Sequence, residues 1–210
     1  DGIRLIRLSG KIQGNTITNN GWYDSWGLYL ESDFNYPSLD SIINNTISGN
    51  GYIHSPSTTT TNPTRGGISI KGRTTAGSNN NNLVDNNSFD VVNQVAEAVV
   101  AQQNAKFNYW GSATTAAIAL GGNPKNLNRI FDKYDDNVKG FVNYGGYLNG
   151  PSPTGTPTSQ SESGQLRFTN RLGSLALTYG LTDSIYMRVL DSDRNLASSG
   201  QDTVSVRIST

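Results

Sequence analysis

Short runs in which every second residue is apolar recur along the first half of this chain, separated by bends rich in asparagine and glycine. Ile3 and Leu5, Leu28 and Leu30, and Ile68 and Ile70 are spaced so that both side chains of a pair fall on one face of a β-strand. Each pair follows a glycine, in GIRL from Gly2, GLYL from Gly27 and GISI from Gly67. A second set alternates with the first: NTI from Asn15, NTI from Asn45 and NSF from Asn87. Glycine strand and asparagine strand therefore follow one another three times. The glycine strands are 25 and 40 residues apart (27 − 2 and 67 − 27), so a fixed unit carries connections of variable length.

Units of this size containing only strands predict a solenoid in which each coil stacks on the last at about 4.8 Å and equivalent residues form ladders. The isoleucines point inward, and asparagine and glycine turn the corners. Asparagine suits a corner because it tolerates left-handed backbone angles and its amide can bond from coil to coil. The segment from Ser112 to Asp136 breaks the pattern. ATTAAIAL (113–120) is alanine-rich, and Leu127, Ile130, Phe131 and Tyr134 follow Pro124 at helical spacing. A short helix from Pro124, capping the open end of about four coils, is expected.

Two stretches further on are more diagnostic than the repeats: NAKFNYWGS (Asn104 to Ser112) and NRIFDKYDDNVKGFVNYGGYLNGP (Asn128 to Pro151). With the coils before them they resemble the right-handed parallel β-helix repeats of the pectin-lyase-like superfamily, in particular the closing segment of bacterial and archaeal β-helix surface proteins. The resemblance covers residues 1–151. It implies an all-β fold, a right-handed parallel β-helix over 1–150 with its closing segment.

Composition divides the chain. Of its 25 asparagines, 23 precede residue 151. Residues 151–164 are rich in proline, serine and threonine and read as an extended linker. QLRFTNR, SLALTYG, DSIYMRVLDSD and DTVSVRIST then alternate like strands of a sandwich. This last part, 165–210, resembles the first half of an Ig-like module of large microbial surface proteins, which implies a partial β-sandwich. Both the abrupt start inside a coil and the half-sandwich predict partners at the two ends: neighbouring copies, or further segments of a longer surface protein.

Sixteen basic and sixteen acidic residues leave no net charge, which argues against nucleic acid or anionic lipid as partner. No apolar run reaches the length of a membrane span. The absence of cysteine excludes disulfides, thiolate metal sites and cysteine nucleophiles. Few charges among much Asn, Thr, Ser and Gly point to an extracellular, cell-surface location.

Candidate chemistry is sparse. Asp135 and Asp136 are the one adjacent acidic pair, but neighbours on a strand face opposite ways, poor geometry for a shared general acid and base. The single histidine, His54, lies in a Ser/Thr/Pro-rich loop, and Arg4, Arg7, Arg65, Lys71 and Arg73 lack convergent acids. Trp22, Tyr23, Trp26 and Tyr29 form an aromatic cluster suited either to stacking on a glycan or to anchoring an interface. Asp191, Asp193, Asn195 and Asp202 offer oxygen ligands for calcium, against a plain polar turn. Asn44 and Asn86 head glycosylation sequons. Together these features predict a non-catalytic, self-assembling structural subunit of a microbial surface. A polysaccharide-binding adhesin and a polysaccharide lyase or hydrolase are the alternatives.

Overall fold

The computed structural model describes residues 1–21, 25–51, 65–121, 125–158, 165–172, 184 and 186–190. The chain forms two compact units, Asp1–Gln160 and Ser161–Thr210.

In the first unit the strands follow one another around three sheets. The first pass comprises β1 (Ile3–Ile6), β2 (Gly10–Gln13) and β3 (Thr16–Thr18). The second comprises β4 (Trp26–Glu31), β5 (Ser38–Ile43) and β6 (Thr46–Ser48), and the third β7 (Gly66–Lys71), β8 (Thr74–Asn79) and β9 (Asn82–Val84). β10 (Phe89–Asn93) and β11 (Gln102–Asn104) begin a fourth pass, which a parallel bridge between Tyr109 and Asn82 continues. The helix α1 (Gly111–Ala119) follows, then β12 (Ile130–Phe131) and β13 (Phe141–Asn143). The sheets run β1-β4-β7-β10-β12, β2-β5-β8-β11-β13 and β3-β6-β9, and all of these pairings are parallel.

Register converts the sequence repeat into stacked rows. Ile3, Leu28, Ile68, Val91 and Ile130 stand opposite one another across five strands of the first sheet. Leu5, Leu30 and Ile70 form the next row inward, and Ile17, Ile47 and Leu83 the row of the third sheet. Most of these side chains are fully buried and form one continuous core. At the Leu5–Leu30–Ile70 row the fourth strand supplies Asn93, whose Nδ2 donates to Gly140 O and whose Oδ1 accepts from Val95 N. That exchange of an apolar for a polar residue is where the regular coil gives way to the closing segment.

Two ladders of asparagine run down the corners. Asn15, Asn45, Asn81 and Asn108 form one. Within it, the backbone N–H and Nδ2 of each of the first three donate to Oδ1 of the next. Asn20, Asn50 and Asn86 form the other in the same way, and it ends on Asp90 Oδ1. Asn45, Asn81, Asn50 and Asn86 also donate Nδ2 back to a carbonyl of the preceding coil, at Ile12, Ile42, Ile17 and Ile47 respectively. The residue before every ladder asparagine has a positive φ: Gly14, Asn19, Asn44, Gly49, Asn80, Asp85 and Phe107. The Asn-Asn and Gly-Asn dipeptides thus divide two jobs, the first residue turning the chain and the second bonding the coils.

The helix expected from Pro124 does not form. Ile130 and Phe131 instead pair in parallel with Val91 and Val92, extending the apolar row of the first sheet. Strand pairing on a preformed edge outweighs a local helical period of eleven residues. The one helix among the described residues is α1, in the alanine-rich stretch, burying Gly111, Thr114 and Ile118 along one face. Residues 151–158, expected to belong to an extended linker, are fastened to the first unit. Ser152 N donates to Asn82 Oδ1, Asn82 Nδ2 donates to Ser152 O, and Leu148 bridges Pro157.

In the second unit β14 (Gln165–Thr169) and β15 (Tyr186–Leu190) pair antiparallel, with Gln165 opposite Leu190 and Thr169 opposite Tyr186. The strands expected at SLALTYG and DTVSVRIST lie outside the described residues.

Candidate ligand-binding surfaces

Three places gather groups with chemistry to offer: the corner between the first and second sheets, the closing segment, and a cleft beside α1.

On the first sheet and at the corner that follows it, consecutive coils bring cations against aromatic rings. The Arg4 guanidinium lies 4.7 Å and Lys71 Nζ 5.2 Å from the centre of the Tyr29 ring. Tyr29 donates its hydroxyl to Glu31 Oε2 at 2.7 Å. Burial pushes the Tyr29 hydroxyl up to about 12, with Glu31 adding to the effect and Arg4 opposing it. One coil corner further out, Arg73 stands 4.7 Å from the Phe34 ring and Arg7 stands 5.8 Å from the Tyr36 ring. Asp33 organises this turn: Oδ1 accepts from Asn35 N and Tyr36 N, and Oδ2 pairs with Arg7 Nε at 2.6 Å. Phe34 and Tyr36 nevertheless present 78% and 58% of their surface to solvent. Rigid, exposed aromatics with cations on their flanks are recognition anchors of the kind that stack on flat apolar faces.

Those two residues are not the aromatics singled out from the sequence. Trp26 is 3% exposed and belongs to a buried cluster with Tyr29, Phe89, Val92 and Phe131, in which Phe89 meets Phe131 edge-on at 5.8 Å. It is an interior anchor with no face open for stacking. Trp22 and Tyr23 lie outside the described residues. The signal for the exposed pair was the turn DFNYP itself, where an Asx residue and a proline bracket two aromatics in a position that cannot face a core.

The five cations considered as a groove are likewise dispersed. Arg65 is buried and its Nε donates to Ser88 Oγ, Arg4 and Lys71 flank Tyr29 on the first sheet, and Arg7 and Arg73 flank Tyr36 and Phe34 at the corner.

In the closing segment the carboxylates hold backbone. Asp132 is buried, with Oδ1 accepting from Tyr134 N and Oδ2 from Val142 N, both at 3.0 Å. Burial raises its pKa to about 6, and the Asp135 carboxylate adds to that. Asp135 Oδ2 accepts from Asp132 N, and Asp136 accepts from Val138 N and pairs with Lys139 at 3.7 Å. Asp135 and Asp136 thus each cap a different piece of the connection between β12 and β13.

Of the two sequons, Asn44 is exposed. Asn86 is not an open acceptor: its Nδ2, the atom a glycan would join, is buried and bonded to Ile47 O and Asp90 Oδ1. The proposed calcium ligands Asp191, Asp193, Asn195 and Asp202, and His54, lie outside the described residues. Among the described residues no three acidic or histidine side chains are grouped to hold a metal ion, and no helix is long and apolar enough to cross a membrane.

The cleft beside α1 has a volume of about 450 Å³. Its walls include Asp85, Asp90, Ser112, Asn126, Asn128 and Arg129, over an apolar floor of Ala113, Ala117 and Leu127. Arg129 is fixed there by Asp90, donating Nε to Oδ2 at 3.1 Å and NH2 to Oδ1 at 3.0 Å, and NH2 also reaches Asn86 O. No residue of this cleft was a candidate for chemistry in the sequence, because Asp85 and Arg129 are 44 positions apart (129 − 85) and come to one cleft only through the stacking of coils.

Compared with protein-family models, curated proteins and solved structures, the chain matches none.

Proposed function

We propose that residues 1 to about 150 form a short right-handed parallel β-helix of the pectin-lyase-like kind. In this reading the segment from 165 belongs to an Ig-like sandwich, and the chain is a non-catalytic structural module of a microbial cell surface. The observation that carries this reading is the pair of asparagine ladders. They use the polar side chains of the coil corners to bond coil to coil, the arrangement a stiff rod requires, and leave them no part in chemistry. The parallel edges of β1, β2 and β3 each have one partnered side among the described residues. Three further parallel strands, from another copy or from elsewhere in the same polypeptide, would continue them, which supports assembly by strand addition.

Two measurements test this. Sedimentation velocity across a wide concentration range is expected to show self-association, and a monomer at every concentration would reject the assembling form. Incubation with pectin, alginate, xylan and chitin is expected to release no reducing or unsaturated ends. Sugar release that disappears with Asp135→Asn or Asp132→Asn would replace the structural reading with an enzymatic one.

A second reading, a polysaccharide-binding adhesin, draws support from Phe34 and Tyr36, held outward by Arg73 and Arg7. It expects glycan binding that is lost in the Phe34→Ala, Tyr36→Ala double variant.

A further inference from the structure

We infer that the cleft beside α1 is a second binding site, for a neutral, hydroxyl-rich ring such as a sugar unit. This site is separate from the corner aromatics and does not depend on them.

The argument starts from how this chain uses asparagine. In the ladders every side-chain amide from Asn45 to Asn108 is consumed by neighbouring coils. Asn126 and Asn128 are exposed, line the cleft, and bond to no described residue through their amides. Asp85, also exposed and in the cleft, has no cation paired with it among the described residues. Three planar groups, each able to make up to about four hydrogen bonds, are therefore left unused around one cavity.

The chain that carries Asp85 and Asn128 is anchored on both sides of the cleft. Asp85 has φ of 53° and directly precedes Asn86, whose N–H and Nδ2 are both bonded to Asp90. Asp90 in turn holds Arg129 from the next pass, so both walls are tied to the end of one asparagine ladder. An anchored backbone leaves only side-chain freedom to be lost on binding.

Charge selects the ligand. Arg129 is neutralised by Asp90, so the remaining formal charge among the described lining residues is the Asp85 carboxylate, and the amino end of α1 contributes a partial positive charge. An anion would meet the unpaired Asp85, and a metal ion would find one free carboxylate among the described residues where it needs several grouped ligands. A hydroxyl both donates and accepts, so it can serve carboxylate, amide and N–H donors in turn. Ala113, Ala117 and Leu127 offer an apolar floor for the C–H face of a ring. A cleft of about 450 Å³ falls within the ordinary range for small-ligand sites.

The test is calorimetric titration of the whole chain with neutral tetrasaccharides of glucose, mannose and N-acetylglucosamine, each to about 10 mM. Tetragalacturonate, inorganic phosphate and calcium chloride are titrated alongside. At least one neutral tetrasaccharide is expected to bind. The Asp85→Gly, Asn128→Ala double variant, altered only at exposed positions and with a glycine suited to the positive φ of position 85, is expected to keep its thermal midpoint and to bind at least about tenfold more weakly. Phe34→Ala with Tyr36→Ala is expected to leave this binding unchanged, which separates the cleft from the adhesin reading. The inference is overturned if no neutral sugar binds, if binding ignores the cleft variant, or if only uronate, phosphate or calcium binds.

Discussion

Asn50 and Gly27 occupy complementary space: a Cβ built on Gly27 would stand 2.7 Å from Asn50 Nδ2, well inside contact distance. The same relation joins Gly2 to Asn20 at 2.7 Å and Gly67 to Asn86 at 2.8 Å. The glycine that opens each glycine strand is therefore the seat of a ladder asparagine. Gly27→Ala is expected to cost about 2–4 kcal/mol, because it displaces a buried amide from the two hydrogen bonds it donates and the two it accepts. Gly14→Ala supplies the contrast. Its φ is +68° but nothing lies within 4 Å of the added carbon, so backbone strain of about 1 kcal/mol is the whole expected cost. Urea unfolding of the two variants side by side measures the difference, and equal costs would disprove the seating argument.

The ladder itself is expected to weaken unevenly. Asn81 is fully buried and accepts from Asn45 N and Nδ2 while donating to Ile42 O and Asn108 Oδ1. Asn81→Ala strands several buried groups and is expected to cost about 3–5 kcal/mol. Asn15 is exposed at the end of the same ladder, and its backbone N–H still reaches Asn45 Oδ1 after truncation. Asn15→Ala is expected to cost under about 1 kcal/mol. Chemical denaturation midpoints decide whether burial sets the scale.

Asp132 predicts a pH dependence of stability. Its folded pKa, about 6, exceeds the ordinary 3.8, so between those values the folded chain holds a proton that the unfolded chain has released. Stability from this residue is greatest below about pH 3.8, falls as pH rises, and is lowest above about pH 6, a change of about 2–3 kcal/mol. Asp132→Asn removes the titration. It also turns an amide donor or carbonyl toward two N–H groups, Tyr134 and Val142, that the carboxylate satisfies together. The stability gap between native chain and variant is expected to change between about pH 4 and pH 7. A gap that stays constant would show that Asp132 keeps an ordinary pKa.

Trp110 sits 1% exposed, edge-on to Tyr144 at 6.4 Å, with no acceptor for its indole N–H among the described residues. Trp110→Phe keeps the aromatic contact and removes the unsatisfied donor, so a cost under about 1.5 kcal/mol is expected. Trp110→Ala opens a cavity in the core and is expected to cost about 4 kcal/mol. Thermal unfolding of both variants checks the pair, and a large loss in the phenylalanine variant would reveal a role for the N–H.

What the sequence determined by itself is the part governed by local repetition. Period-two apolar pairs behind a glycine could only be stacked strands, and rows such as Ile3, Leu28 and Ile68 followed from matching one repeat to the next. Asparagine at the corners was legible for the same reason, but the third motif was not: the strand in register with those that follow Asn15 and Asn45 is NLV from Asn82, whereas Asn87 leads into β10 of the first sheet. Tertiary structure decided the rest. Ile130 and Phe131 carry a helical period, yet join a strand because Val91 and Val92 offer an open parallel edge. Trp26 looked like a surface aromatic and became interior because Phe89 and Phe131 arrive beside it from later passes. Asp85, Asn128 and Arg129 face one cleft only because consecutive coils lie a strand's width apart, a distance that sequence spacing does not encode.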